Sequence, residues 1–231
     1  MAPPVEVRDT RRMPRATRNQ PAGCTLHVVR RGHNRSACFF ADDDRALYLT
    51  MLQRYAQQTR TFIHAYVLMS NHVHLLVTTG ESDGASRFMH FVGLNYSRAV
   101  NRKRDRTGTL WENRLHASTV QSAAYVLACY RYIELNPVRA GMVADPADYR
   151  WSSNAANTGV DRAAWIQRHQ AFEALGATDE LAGIRYRSLF DEPLEATIVA
   201  NLRTIGEPPG TRIEPGSGGQ ADANWSSASR A

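Results

Sequence analysis

The order of secondary-structure elements along this 231-residue sequence predicts an α+β fold: a split β-α-β sheet, mostly antiparallel, with helices packed on one face. β-prone runs and stretches of helical hydrophobic spacing alternate in the order β-α-β-β-α-β-α. Two of the β-prone runs are separated by only two polar residues, which is typical of a hairpin. Hydrophobic residues make up 43% of the chain, enough for a packed core, yet no apolar run approaches the roughly 18 residues that span a bilayer. A globular protein without membrane contact is therefore expected.

Residue periodicity locates each element in turn. The predicted strands are Thr25–Arg31, Phe62–Met69, His72–Thr78 and a strand-like stretch over Thr109–Val120. The predicted helices are one that begins at Asp42 and ends near Arg60, one that carries Phe88, Val92, Tyr96 and Val100 on one side, and one over Ser122–Glu134. Pro137 disfavours helical backbone at Asn136, so the third helix is expected to end there. This order of elements is typical of the ferredoxin-like arrangement.

Composition divides the chain into four segments. Four prolines and scattered arginines predict a basic, largely flexible arm over residues 1–24. The predicted main domain covers 25–155, and a helical extension with helix-like pieces at Trp165–Leu175 and Leu194–Arg203 covers 156–205. Pro, Gly, Ser and Ala dominate 206–231, which predicts a disordered tail.

Positive charge is concentrated at the front of the chain. The net charge is +6, from 28 basic and 22 acidic residues, and every basic residue except Lys103 is arginine. Residues 1–35 hold eight arginines against Glu6 and Asp9. The planar guanidinium group matches phosphate, so this front indicates a nucleic-acid partner, although a GC-rich genome would also favour arginine over lysine.

Several classes of protein are excluded or disfavoured by what the sequence lacks. Its three cysteines (Cys24, Cys38 and Cys129) have no paired spacing, so neither a disulfide framework nor a zinc site is expected. The basic N-terminus lacks the apolar stretch of a secretory signal. No glycine-rich GxxxxGK[ST] loop is present, so no nucleotide cofactor is expected. These features favour a reduced, cytoplasmic protein.

The first candidate site is His72-Val73-His74 on the third predicted strand. Side chains two residues apart in a strand lie on the same face, so both imidazoles project together. Neutral imidazole is a common ligand of divalent metals, which makes the pair a candidate metal site. Two histidines on a solvated sheet face are the alternative interpretation. A metallohydrolase of the HxHxDH type is disfavoured, because Leu75 and Leu76 follow where acids would be needed.

The second candidate is Tyr132 together with Asn136 on the third helix. Residues four apart lie on one helix face, so these two are neighbours, whereas Tyr130 points to nearly the opposite side. A phenol and an amide brought against the histidine pair would provide a nucleophile and a three-ligand metal site. A half-buried tyrosine without chemistry is the alternative.

Four segments of the chain carry a resemblance to a known family. They are HVVRRGHNR (27–35), MSNHVHLL (69–76), GTLWENR (108–114) and RYIELNPVRAG (131–141). In this order, from about Met13 to Ser153, the chain resembles the REP-associated tyrosine transposases, relatives of the single-tyrosine insertion-sequence transposases. An HxH strand followed some sixty residues later by a YxxxN helix resembles the HUH class of single-strand endonucleases.

The resemblance implies an HUH endonuclease fold and a metal-dependent, sequence-specific single-stranded DNA endonuclease and strand transferase acting at hairpin-forming palindromic repeats. His72, His74 and Asn136 would hold Mg²⁺ or Mn²⁺, and Tyr132 would attack a DNA phosphodiester to leave a 5′-phosphotyrosine and a free 3′-OH. A phenol with a pKa of about 10 attacks poorly unless the phosphate is polarised and positioned, and a metal does both. The implied partner is single-stranded or hairpin DNA.

A further set of residues forms the candidate DNA contacts. It consists of Arg30, Arg31, Arg35, Trp111, Arg114 and Arg139. Arg30, Arg31 and Arg35 flank the turn at Gly32, at the end of the first strand, in a segment that the resemblance places near DNA. Trp111 could stack on an unpaired base, with core packing as the favoured alternative. The segment Asn101–Arg106 could contact a hairpin backbone or be a solvated helix end.

The chain also departs from the family pattern. His33 stands where the family usually carries Asn, and 206–231 lacks the family's further helical, Gly-rich ending. The altered tail of this chain favours an alternative function, a catalytically inactive or domesticated DNA hairpin-binding protein. A metalloenzyme acting on small substrates is a third interpretation. Related transposases work as dimers, so a homodimer with a shared site stays open. Because family members start with a segment like Met13-Pro14-Arg15, residues 1–12 are expected to lie upstream of the natural start.

Overall fold

The computed structural model describes residues 20–112, 115–161 and 163–204. Four strands form one sheet: β1 (Thr25–Arg31), β2 (Thr61–Leu68), β3 (His72–Thr79) and β4 (His116–Thr119). Their order across the sheet is β2-β3-β1-β4, and all three neighbouring pairs are antiparallel. Most of the predicted arm and the whole predicted tail lie outside the described residues.

Three long helices and several short ones accompany the sheet. They are α1 (Asp42–Gln58), α2 (Gly84–Lys103), α3 (Ala123–Glu134), α4 (Asn136–Arg139), α5 (Asn154–Asn157), α6 (Gln170–Glu173), α7 (Asp179–Ser188) and α8 (Ala196–Thr204). Short 3-10 turns cover His33–Arg35, Pro146–Asp148 and Leu189–Asp191. Up to α3 the order is β-α-β-β-α-β-α, so the predicted fold class is confirmed. Within the described ranges, none of the helices combines the length and the apolar character that a bilayer span requires.

Helices cover both faces of the sheet, whereas the sequence predicted them on one face. Alternation along β1 sends Arg30 to one face, where its guanidinium donates a hydrogen bond to the carbonyl of Met89 in α2. The same alternation sends His27 to the other face, where its ring centroid lies 5.8 Å from that of Tyr132 in α3. We refer to these as the α2 face and the α3 face. The α2 face is lined with aromatic packing, and the α3 face carries the histidines.

The first turn of α1 consists of acidic residues, and one of them joins two helices. Asp44, in the first turn, accepts hydrogen bonds from the backbone N–H groups of Phe40 and Ala41, at 2.9 and 3.1 Å. It also pairs with Lys103 and Arg104 at the end of α2, at 2.8 and 2.9 Å. Two cations of the segment proposed to contact a hairpin backbone are therefore engaged in holding α1 against α2.

Two predicted elements are shorter than expected. Among the described residues of 109–120, only His116–Thr119 forms a strand, because Trp111 makes a single bridge to Gly32 and turns its indole N–H to the carbonyl of Gly93 in α2. The predicted helix over 165–175 is reduced to α6, because the N–H of Gln167 pairs with the carbonyl of Ile63 in β2. A backbone that extends the sheet at this point cannot be helical until residue 170.

A buried carboxylate in α3 ties the extension to the domain. Glu134 accepts hydrogen bonds from Ser153 Oγ at 2.6 Å and Asn157 Nδ2 at 2.7 Å on one oxygen. Its other oxygen accepts from Asn154 Nδ2 at 3.0 Å and the hydroxyl of Tyr186 in α7 at 2.8 Å. Four donors compensate for removing this side chain from water.

A chain of side-chain hydrogen bonds makes a second attachment. Since Nδ1 of His169 accepts from a backbone N–H, its Nε2 donates to Thr25 Oγ1, at 3.1 Å. Thr25 then donates to Thr78 at 2.8 Å, and Thr78 donates to Nε2 of His64 at 2.8 Å. Nδ1 of His64 donates to the carbonyl of Gln167, at 2.6 Å. When both histidines are neutral, the donor and the acceptor of every hydrogen bond in this chain are fixed.

Candidate active site

The histidine pair lies on the α3 face, on a strand that has a neighbour on each side. In the register of the sheet, His74 stands opposite Val29 of β1 and Val67 of β2, and His72 stands opposite Arg31. The two imidazole rings are 5.0 Å apart between centroids and meet edge to face. His74 is buried and His72 is half-buried. The pair therefore has one ring near the surface and one in the interior.

Each of these histidines has a side-chain partner at Nδ1. Asn71 Oδ1 lies 2.6 Å from Nδ1 of His72, and the amide nitrogen of Asn71 donates to the carbonyl of Arg35 at 3.0 Å. Nε2 of His27 lies 2.9 Å from Nδ1 of His74, with the two rings stacked at 5.1 Å. In both imidazoles Nε2 is the nitrogen that remains for a further ligand.

The helix α3 brings Tyr132 against this group. Its N-terminus is capped by Ser122, whose hydroxyl accepts from the backbone N–H of Tyr125 at 3.2 Å. The ring of Tyr132 meets those of His27 and His74 edge-on, at 5.8 and 5.9 Å between centroids. Its side chain is 3% exposed.

Asn136 follows Glu134, the last residue of α3, by two positions and begins α4. The helix α3 ends before Pro137, as predicted. The side-chain amide of Asn136 still donates to two carbonyls of the last turn of α3, those of Tyr132 and Ile133, at 3.0 and 3.3 Å. Its side-chain oxygen is left to face His72. Burial, then Arg31 and Arg139, lower the pKa of His72 to about 4, while the oxygen of Asn136, which accepts a hydrogen bond from the charged form, acts in the opposite direction.

The other two imidazoles are also neutral at pH 7. Burial, followed by the neighbouring His72, holds the pKa of His74 well below its usual value. Burial and then Arg139 lower the pKa of His27 to about 3. Uncharged rings keep a lone pair, which is the form that binds a metal ion.

Two arginines, Arg139 and Arg203, act on the phenol of Tyr132. The guanidinium carbon of Arg139 lies 3.8 Å from the centroid of its ring. Burial raises the pKa of Tyr132, and the positive charges of Arg139 and Arg203 oppose this rise. An anionic group such as a phosphate would enter a region whose cations already act on both the phenol and the histidines.

The donor set His72, His74 and Asn136 fits a divalent cation. Over the part of the chain that the structure describes, no group of three or more His, Cys, Asp and Glu side chains could hold a metal ion. This set differs because its third donor is an amide oxygen. Two neutral imidazoles and one carbonyl oxygen form a mixed donor set that accommodates Mn²⁺ as well as harder ions.

Two of the predicted DNA contacts turn away from this site. Trp111 is 3% exposed, and its ring packs against Tyr48 and Tyr96 at 5.9 and 5.7 Å. Arg30 reaches the α2 face and lies 4.9 Å from the Trp111 ring centroid. A buried indole cannot stack on a base in this arrangement, which agrees with the core packing that the sequence favoured for Trp111. For Arg30, whose guanidinium binds the carbonyl of Met89, the expected DNA contact is corrected to core packing.

The remaining predicted contacts are placed differently. Arg31 projects from β1 to the α3 face beside His72 and lowers the pKa of both His72 and His74. Arg35 is exposed after the turn at Gly32. Arg139 lies over Tyr132, and Arg114 is outside the described residues.

His27, Asn71 and Arg203 belong to this group but were not singled out as site residues from the sequence. A signal existed for His27, since alternation in the predicted first strand puts it on the same face as Arg31. Asn71 was assigned to a turn. Nothing in the sequence placed Arg203 near Tyr132, because the position of α8 depends on tertiary packing.

Comparison with known proteins shows the family of this chain. The model of the family described as "Transposase IS200 like" matches residues 21–136, just over half of the 231 residues. The chain belongs to the IS200-like transposases. The matched range runs from before β1 to Asn136 and contains His72, His74 and Tyr132. The extension that Glu134 holds lies beyond it.

Two solved structures resemble this IS200-like transposase. A REP-associated tyrosine transposase bound to a REP hairpin is 18% identical, with 66% of this chain and 92% of that chain covered at a TM-score of 0.53. A protein from Deinococcus radiodurans R1 described as a transposase is also 18% identical, with 47% and 87% covered at a TM-score of 0.37. The first similarity supports the fold. A search of curated proteins found no match.

Proposed function

We propose that this IS200-like transposase is a metal-dependent, sequence-specific single-stranded DNA endonuclease and strand transferase that acts at hairpin-forming repeats through a 5′-phosphotyrosine. The observation that carries the proposal is the convergence of Tyr132 with His74, His72 and Asn136 on one face of the sheet. These residues come from two strand positions and two helices, and their side chains meet in one place.

In this proposal Tyr132 is the nucleophile. Its oxygen forms a bond to phosphorus, the bond from phosphorus to the 3′ oxygen breaks, the phenolic proton leaves to solvent, and the released 3′ oxygen takes up a proton. His72, His74 and Asn136 would hold a divalent cation, which when bound polarises and positions the phosphate. Arg139 holds the ring of Tyr132 from one face and supplies positive charge for the phosphate. The phosphoester is retained, so a 3′-OH of another strand can reverse the step and join DNA ends.

DNA is the proposed partner, and hairpin DNA the preferred form. The similar tyrosine transposase is bound to a REP hairpin. In this chain, Arg31 and Arg139 act electrostatically on the site, and exposed Arg35 follows the turn after β1. Guanidinium groups bind phosphate through paired hydrogen bonds. A dimer that shares its sites between chains remains part of the proposal.

We further propose that 25–155 form the catalytic unit and that 156–205 support it. Glu134 and His64 each join the sheet or α3 to this extension through buried hydrogen bonds. The extension therefore bears on α3 two residues from the proposed nucleophile.

The test is capture of the covalent intermediate. Protein, Mn²⁺ or Mg²⁺ and a single-stranded oligonucleotide with a hairpin are mixed, and products are separated under denaturing conditions. A 5′-phosphotyrosine retains the fragment downstream of the cut, so a 3′ label should move with the protein and a 5′ label should not. Tyr132→Phe should abolish this band.

Tyr130→Phe is the matched control. It makes the same chemical change two residues away, on a side chain that accepts from the N–H of His169 and does not contact the histidine pair. The band should persist in this variant. If Tyr132→Phe and the wild type give the same band, the assignment of Tyr132 as the nucleophile is wrong. If the wild type binds the hairpin but gives no band with either metal, the protein is a hairpin-binding protein without chemistry.

A further inference from the structure

His27 occupies the interior of the site without being one of its proposed ligands. It lies in β1, is 0% exposed, and its Nε2 is 2.9 Å from Nδ1 of His74. The two rings are stacked within 20° of parallel. Its other nitrogen, Nδ1, has no hydrogen-bond partner among the described residues. The bond to His74 is thus the one side-chain hydrogen bond that orients this ring.

One proton lies between the two rings, and its position decides what His74 can do. If Nδ1 of His74 carries the proton and donates it to His27, the Nε2 lone pair of His74 is available to a cation. If His27 is the donor instead, a neutral His74 carries its proton on Nε2 and has no lone pair to offer there.

The neighbouring histidine shows the same arrangement with an unambiguous direction. The amide nitrogen of Asn71 donates to the carbonyl of Arg35, so its oxygen faces His72 and can only accept. His72 must therefore carry its proton on Nδ1, which leaves Nε2 with the lone pair. Ligand histidines are typically oriented in this way by a hydrogen bond from their second nitrogen.

We propose that His27 is a positioning residue that does for His74 what Asn71 does for His72: it accepts the Nδ1 proton of His74 and directs the Nε2 lone pair toward the cation. This inference rests on the proposed function, since it assigns a role within the same metal site. The stacked rings also restrict rotation of His74, whose edge contact with Tyr132 depends on that orientation.

The experiment measures Mn²⁺ binding by calorimetry without DNA and compares two variants of His27. His27→Phe keeps an aromatic ring but cannot accept a proton, and we expect its Mn²⁺ affinity to fall about 10-fold or more. His27→Gln retains an accepting oxygen and should recover most of that loss. His64→Phe is the matched control: it removes another buried histidine of the same sheet, so it can lower the melting temperature while Mn²⁺ affinity stays that of the wild type.

Nitrogen-15 NMR of the metal-free wild type provides an independent measurement. Long-range proton–nitrogen correlations distinguish the two neutral tautomers, and His74 should carry its proton on Nδ1. The inference is overturned if His74 is protonated on Nε2, or if His27→Phe binds Mn²⁺ within about twofold of the wild type. Absence of saturable Mn²⁺ binding by the wild type would instead refute the metal site of the proposed function, and the tautomer would still decide the role of His27. If His27→Phe does not fold, His27→Gln and the tautomer measurement decide it.

Discussion

Glu134 follows the proposed nucleophile by two residues on α3, but its carboxylate faces the extension. Burial raises the pKa of this carboxyl group, and hydrogen bonds from Ser153, Asn157 and Tyr186 oppose that effect. Each of its two oxygens accepts two hydrogen bonds. A side chain of the same shape but different hydrogen-bonding capacity would not satisfy the same neighbours.

We therefore expect Glu134→Gln to destabilise the protein. Whichever way the new amide points, its NH₂ group faces the NH₂ group of either Asn154 or Asn157, so a buried donor loses its acceptor. The free energy of unfolding should fall by about 2 kcal/mol, as measured by urea denaturation. Glu173→Gln, at an exposed position of α6, is the control and should change it little. Equal stability of the two variants would contradict the role assigned to Glu134.

At the scale of elements, contact between β1 and α2 depends on one glycine. A Cβ atom at Gly93 would overlap the guanidinium of Arg30. That group could move aside only by giving up the carbonyl of Met89 and the ring of Trp111. The carbonyl of Gly93 also accepts from the indole of Trp111, at 3.3 Å.

The sign of the Gly93→Ala effect should accordingly depend on Arg30. In the wild type the overlap should outweigh the helix propensity of alanine and lower the unfolding free energy by about 1–3 kcal/mol. In an Arg30→Ala background the overlap is gone, and Gly93→Ala should be stabilising by up to about 1 kcal/mol. Urea denaturation of the four proteins forms the double-mutant cycle. The same sign in both backgrounds would show that the guanidinium does not limit the packing of α2.

Regular alternation and helical spacing predicted the strands up to β3, the three long helices and the shared face of His72 and His74. These features depend on local periodicity, which the sequence displays directly. Placement of α3 on the opposite face from α2 was not predictable, because both faces of the sheet are largely buried. Adjacent Arg30 and Arg31 were assigned one role, yet strand alternation gives them different faces. Contacts from distant segments, such as α8 beside Tyr132, depend on tertiary packing.

At the scale of the whole molecule, the chain from His169 to His64 makes the attachment of the extension sensitive to acid. Burial lowers the pKa of His64 to about 4, compared with 6.5 for the unperturbed group. The unfolded state therefore takes up this proton at a higher pH than the folded state does. The contribution of neutral His64 is fully present above about pH 6.5 and is lost as the pH falls toward 4.

Urea denaturation between pH 7.5 and 4 should show this loss. Between these pH values the unfolding free energy should fall by about 3 kcal/mol less in His64→Gln than in the wild type, because glutamine does not titrate. His90→Gln, at an exposed position of α2, should retain the pH dependence of the wild type. If the unfolding free energy of His64→Gln depends on pH as that of the wild type does, His64 has the same pKa in the folded and unfolded states.

The strand order has a consequence for how the protein folds. His27 and His74 are separated by 47 residues in sequence, and β1 must also pair with β4, which precedes α3 and Tyr132. Closing such long loops is slow, because their entropy is lost before the contacts form. The side chains of His27, the histidine pair, Tyr132 and Asn136 come together only in a chain that spans β1 to α4. Under the proposed function, a nascent chain would therefore become able to cut DNA only after β1 and β3 have paired.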